Sequence, residues 1–275
     1  MVSLMSAFTR NRTDGYKPLF FLFCLFALGW ITLLLYAGGM TTSIKAGMAF
    51  LDWPLSNGSV NPAGWLTESD KMAEHSHRLL GMKIGLLSIG LFLWTYLRES
   101  RNWVRTLARV LLWVVILQGL LGGARVRFDQ LNIMSDHNLL AQGFAVVHAC
   151  GALVVLGILV TLTLASTRRW IEASAGLNVQ QPVGVKRWGI IATVAIFLQI
   201  LVGAIMRHAD AGLALVKFPM STATTWLPTY WNFDVSVHFA HRIGAILVTV
   251  ILLVFLCKLW GSPTAKRALG YGALF

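Results

Sequence analysis

The chain has 275 residues, 56% of them hydrophobic and only 12% charged, with a mean hydropathy of +0.68. That balance excludes a water-soluble domain and fits a multi-pass membrane protein. The net charge of +12 does not mark a nucleic-acid binder, because the basic residues cluster in short loops between apolar runs, as topology signals do.

In chain order, six apolar runs stand at about 18–38, 75–97, 104–124, 136–164, 188–206 and 237–259. Each approaches the roughly 20 residues that a bilayer crossing needs. They must be helices, since backbone polar groups find no water in the hydrocarbon. The first run, Pro18–Gly38, is too long for the apolar part of a signal peptide, and no small-residue cleavage site follows it. A seventh run begins near Ala265, and the given sequence stops at Phe275. Cys24, Cys150 and Cys257 all lie inside apolar runs, so no disulfide is expected and all three read as small buried residues.

Arg10, Arg12, Lys17, Arg98, Arg101, Arg105, Arg109, Arg168, Arg169, Lys186, Arg187, Lys258, Lys266 and Arg267 fall on one side, against only Asp14, Glu99 and Glu172. The positive side faces the cytoplasm, which puts the N-terminus inside. The two long loops, 39–73 and 207–236, then lie outside.

These loops reveal an internal repeat. Gly39–Ser56 reads GMTTSIKAGMAFLDWPLS, and Ala204–Ser221 reads AIMRHADAGLALVKFPMS. Shared are Ala46-Gly47 with Ala211-Gly212, Trp53-Pro54 with Phe218-Pro219, and the closing Ser. Each loop leads to a helix opened by a His-Arg pair, His77-Arg78 or His241-Arg242. Near-constant offsets over separate motifs imply duplication. The fold expected is an all-α polytopic membrane protein of two pseudo-symmetric four-helix bundles, residues 18–165 and 186–275. The second is truncated, with six complete spans plus the start of a seventh, so the chain is expected to be a fragment lacking its last two helices.

Histidines at matching ends of membrane helices suggest metal ligation, and in apolar surroundings the metal expected is haem iron. His77 is the first candidate ligand. Counted from helix entry, His137 sits at about the same depth and is its expected partner. His148 lies roughly 16 Å deeper at 1.5 Å rise per residue. It would serve a stacked second haem only if another helix carried a deep histidine, so it reads as a buried hydrogen-bonded residue. His241 is the ligand candidate of the second unit, its mate falling beyond the given sequence. His75 and His238 read as interfacial. Glu74, one turn from His77 and replaced by His238 in the repeat, could act as acid, base or proton relay, or simply pair with Arg78. Arg78 and Arg242 could hold haem propionates or snorkel to the interface. Lys83 is costly at its depth without an anion or water nearby. Gly81 leaves the His77 face bare for something flat to approach.

Taken together, GGMTTSIKAGMAFLDWP, EHSHRLLG, LGGARVRFD with HNLLAQGF, GAIMRHADAGLAL and VHFAHRIGA resemble the motifs of the haem A synthase family, cytochrome oxidase assembly proteins of bacterial inner membranes and mitochondria. The resemblance covers about Phe20 to Leu256. It implies eight helices in two bundles and oxidation of a methyl group of haem O to the formyl group of haem A. It further implies Glu74 as the catalytic-side acid, His77 and His137 flanking the substrate haem, and His241 ligating a haem b cofactor. Expected partners are the lipid bilayer, haem O synthase and cytochrome oxidase assembly factors, with no nucleic acid. Thr42 stands where many members have arginine, and Lys217 where aspartate is frequent. The external cysteine pair of some members is absent, which places the chain with the cysteine-free bacterial type. The competing readings are a b-type membrane cytochrome, which needs no acid beside one haem, and a repeat-built transporter, which would show broken helices at mid-bilayer.

Overall fold

The computed structural model describes residues 15–130, 139–174 and 183–260. Two compact units divide the chain, Met1–Gly176 and Leu177–Phe275. The N-terminal unit holds α1 (Pro18–Ser43), α2 (Ser69–Arg98), α3 (Asn102–Gln130), α4 (Leu139–Ser166) and a short α5 (Arg168–Ser174) that the sequence reading did not foresee. The C-terminal unit holds α6 (Val183–His208), a single 3-10 turn (Ala211–Leu213) and α7 (Phe233–Trp260). Six of these helices are long and apolar enough to cross a membrane; the protein is a multi-pass membrane protein. The run expected from Ala265 lies outside the described residues.

Several helices outrun their apolar stretches. Pro18 opens α1, where its missing N–H costs nothing. The helix continues past Gly38 because the Thr41 and Thr42 hydroxyls return to the Ala37 and Gly38 carbonyls at 2.9 and 3.0 Å, so neither is stranded in apolar surroundings. The α2 helix starts at Ser69, six residues before the apolar run, because its first turns are polar and hydropathy does not register them. This shift matters for the site.

In the N-terminal unit, α1 packs on α2, α2 on α3, α3 on α4 and α4 back on α1, closing a four-helix bundle. Its dry cluster comprises Phe20, Cys24, Ala27 and Ile31 of α1, Ile84 and Leu91 of α2, Val104 and Leu111 of α3, and Val155, Ile158, Leu159 and Leu162 of α4. Given the directions of the helices, these residues occupy the half away from the long loop. That far end is also tied by ions. Arg101 pairs with Glu99 at 2.9 Å and donates to the Ala165 carbonyl at 2.7 Å. Burial pushes the Glu99 carboxyl up, but the Arg101 guanidinium beside it outweighs this and holds it below the usual range. In the C-terminal unit α6 and α7 pack as a pair, and the 3-10 turn touches both.

Each unit carries one long loop, and the repeat is visible in its backbone. Lys45 and Asp210 both adopt the left-handed conformation, φ 56 and 55°. Ala46 and Ala211 follow, both buried. Trp53–Pro54 and Phe218–Pro219 are both cis. The cysteines are free thiols, Cys24 and Cys150 buried. Cys257 departs from expectation: it is exposed on α7, because it points to the helix face that no described element covers.

Candidate functional site

The residues singled out in the sequence gather where each loop returns to its His-Arg helix. Arg78 donates to the loop carbonyls of Asp52 at 2.6 Å, Leu55 at 2.5 Å and Phe50 at 3.1 Å. Glu74 pairs with the same guanidinium through Oε1 and accepts the Phe50 N–H on Oε2 at 3.0 Å. The carboxylate is only 4% exposed. Together Glu74 and Arg78 staple the loop to α2 by charge-assisted bonds. The C-terminal unit repeats the device. Arg242 donates to the Leu215 and Met220 carbonyls at 2.6 and 3.1 Å. His238 stands in for Glu74, facing the Leu215 N–H at 3.2 Å and the Arg242 Nε at 3.2 Å. Of the two alternatives for Glu74, the ion pair with Arg78 is therefore present. Both arginines are turned to loop carbonyls, which neither the propionate role nor simple snorkelling described.

The loop has its own internal ties. Asp52 accepts the N–H groups of Asn57 and Gly58 at 2.7 Å each. Partial burial pushes its carboxyl upward, but these donors and the nearby Arg78 charge prevail, so it stays below the ordinary aspartate value. His75 of α2 is buried against the loop, its Nδ1 3.0 Å from Ser56 Oγ and its ring 4.8 Å from the Trp65 ring. Lys83 lies 4.5 Å over the Trp30 ring, a cation–π contact that accounts for its place on α2.

Behind the staple lies His77. Its imidazole packs on Gly38 so closely that a Cβ there would come within 2.9 Å of Cε1. Its Nδ1 is buried and makes no hydrogen bond of normal geometry. Facing it, edge to face, is His148, with ring centres 6.4 Å apart. His148 in turn packs beside Gly122 of α3, where a Cβ would lie 3.5 Å from Cε1. The sequence reading set His148 too deep to meet His77, and the true start of α2 explains why. His77 is eight residues into α2 and His148 nine residues into α4, so both sit about 12–14 Å along their helices. His137, the partner expected from sequence, lies outside the described residues. Gly81 has nothing near its missing side chain, as an open face requires.

In the C-terminal unit His241 repeats the arrangement. A Cβ on Gly203 would come within 2.8 Å of its Cε1. Gly38 and Gly203 are separated by the same offset as the loop motifs, so the glycine–histidine contact was legible in the sequence but went unnoticed. The signal that could have found His148 is weaker, a polar residue on an otherwise apolar helix with a glycine opposite.

Do these residues fit a haem group? The buried His77 ring touches the Leu34 backbone, and its Nδ1 lacks a hydrogen bond of normal geometry, as does buried His75 Nε2; such a nitrogen is costly unless a ligand or water uses it. A second imidazole stands across from it, its ring centre 6.4 Å away, and imidazole nitrogens are common iron ligands. Glycines rather than side chains back the rings. The donor set is that of a bis-histidine iron site, and the residues fit. A separate cavity of about 690 Å³ opens between the loop and α3, lined by Leu51, Trp53, Gly123 and Arg127 among others; neither histidine lines it.

Comparison with known proteins points the same way. Residues 66–275 match the family described as cytochrome oxidase assembly protein, COX15-CtaA. The chain is 30% identical over 244 residues to the heme A synthase of Shouchella clausii, covering 86% of this chain and 74% of that one. It is 30% identical over 238 residues to the heme A synthase of Symbiobacterium thermophilum, covering 85% and 71%. With the heme A synthase of Bacillus licheniformis the identity is 32% over 222 residues, covering 78% and 67%. With a match over most of its length, the chain belongs to the COX15-CtaA family of cytochrome oxidase assembly proteins.

Proposed function

We propose that this protein is a haem A synthase, an oxidoreductase that converts a methyl group of haem O to the formyl group of haem A for cytochrome oxidase assembly. The observation that carries this reading is the pairing of buried His77 with His148 across the loop end of the N-terminal bundle, in a chain of this family. His77 and His148 would hold the substrate haem, and Gly38 and Gly122 leave the rings their room. His148 takes the place first given to His137. His241 holds a haem b cofactor in the C-terminal unit. The bound iron supplies the oxidative chemistry; the protein supplies position, exclusion of water and proton traffic.

Glu74 is the group we assign to proton traffic. It is a buried carboxylate one helical turn from His77, and the C-terminal unit has an imidazole in its place. Its Arg78 and Phe50 contacts fix it against α2, so a proton handed to it would be handed at a defined point. The stapled loop covers part of that end of the bundle, with the cavity beside α3 left open. We place the protein in the bacterial inner membrane, and the charge distribution supports a cytoplasmic N-terminus with the long loops outside.

The test is expression beside a haem O source, followed by extraction and chromatography of the haems. Haem A forms with the native chain and is lost in His77→Ala, His148→Ala and Glu74→Ala. A protein that retains haem but makes no haem A under any condition would be an electron-carrying cytochrome. Loss of haem A in His137→Ala, with His148→Ala active, would return His137 to the ligand role.

A further inference from the structure

Among the described residues, the charges that act on the His77 imidazole come from two guanidinium groups, those of Arg125 and Arg78. Arg78 is committed elsewhere, donating to three loop carbonyls and pairing with Glu74. Arg125 comes from α3, three residues past Gly122. That spacing puts it on the same face of the helix, about 4.5 Å nearer the loop. Gly122 is the residue beside which His148 packs, so Arg125 stands at the rim of the imidazole pair. Its guanidinium lies on Gly47 of the loop. A Cβ there would come within 3.0 Å of one terminal nitrogen, 3.2 Å of the other and 3.3 Å of Cζ. The fork therefore rests on bare backbone, and Gly47 is the gap that admits it.

Paired imidazoles grip a haem through its iron. They leave the disc free to turn about the nitrogen–iron axis, so they do not decide which ring edge faces the loop. A haem carries its two carboxylates together on one edge. Those charges are costly in apolar surroundings without a partner. A planar guanidinium meets a carboxylate with two parallel N–H donors. A cation fixed at the rim therefore selects one rotation of the disc over the others.

We infer that Arg125, seated on Gly47, takes a carboxylate of the substrate haem and so sets its in-plane orientation, which decides the ring substituent presented for oxidation. This rests on the reading of His77 and His148 as haem-binding. Arg125 takes the propionate role first given to Arg78, whose donors are turned to the loop. One residue thus ties three requirements together: it neutralises the substrate's charge, it stands beside both imidazoles, and it is held by the loop that covers them.

The test titrates ferric haem b and its dimethyl ester, in which both carboxylates are masked, into the purified full chain in detergent. A His241→Ala background silences the C-terminal site, and affinity is read from the Soret band. Comparing the acid-to-ester ratio between variants cancels the different uptake of the two haems by detergent. Arg125→Leu weakens binding of the free acid by about 10- to 100-fold and leaves the ester at its native affinity. Arg125→Lys, which keeps the charge but not the fork, loses less. Gly47→Ala, which displaces the fork, shifts the ratio in the same direction as Arg125→Leu. The ring-methyl NMR resonances of the bound ferric haem gain additional sets in Arg125→Leu, as further rotations become populated. Equal loss for acid and ester would mean that Arg125 only braces the bundle and would overturn the proposal, as would native affinity for both. Unchanged methyl resonances would overturn its orienting half. Binding of both haems that survives His77→Ala with His148→Ala would instead overturn the haem-site reading on which the inference stands.

Discussion

The two loops share a backbone plan but not the same grip. In both, an arginine one residue past the candidate ligand collects loop carbonyls, and a left-handed residue starts the descent. In the N-terminal unit the third member is Glu74, whose two oxygens take the Arg78 guanidinium and the Phe50 N–H. In the C-terminal unit it is His238, which faces two donors, the Leu215 N–H and Arg242 Nε. A neutral imidazole has one acceptor nitrogen and a carboxylate has lone pairs for both donors. The first loop is therefore the more tightly held. The aromatic next to the cis proline shows the same contrast. Trp53 lies on Gly123, where a Cβ would come within 2.6 Å of its ring, while Phe218 is 85% exposed. Duplicated backbone thus preserves the turn, and the side chains decide how firmly it is closed.

The sharpest way to break this contrast is at Glu74. Glu74→Ala leaves Arg78 buried without its carboxylate and should cost about 3–5 kcal/mol, whereas His238→Ala removes a half-satisfied acceptor and should cost about 1–2 kcal/mol. Thermal unfolding midpoints of the two variants, measured in one detergent, check the order. Equal losses would mean that the two loops are equally held. Trp53→Ala follows, at about 2 kcal/mol because the ring is partly exposed, with Phe218→Ala within about 0.5 kcal/mol of native. His238→Glu should go the other way, raising protection of the 209–232 backbone from protease. The smallest effect is that of pH. Asp52 is held below its ordinary value, so its contribution is complete above the unfolded-chain value and is lost as pH falls through the lower folded value. Proteolysis of loop 44–68 should therefore rise only under clearly acidic conditions. Asp52→Asn should remove that dependence, and loop 209–232, with Lys217 at the matching place, should not share it.

Much of the fold was legible before any coordinates. The six spans, the repeat and the matching places of His77 and His241 follow from hydropathy and from motifs at a near-constant offset. What was not legible is instructive. Hydropathy cannot see the polar first turns of α2, and that error of six residues set His148 too deep to face His77; His137 lies outside the described residues. The arginines read as meeting propionates or snorkelling to the interface because a sequence does not reveal that loop carbonyls turn inward.

The placement of the dry cluster in the N-terminal bundle has a mechanical consequence. Phe20, Leu91, Leu111 and Leu162 knit the four helices at the end away from His77 and His148. A flat guest entering between the imidazoles would spread the opposite tips as one parts the arms of tweezers, with that knot as the fulcrum. Amide hydrogens of the knotted halves would then keep their slow exchange while those near Gly38 and Gly122 change pace on loading.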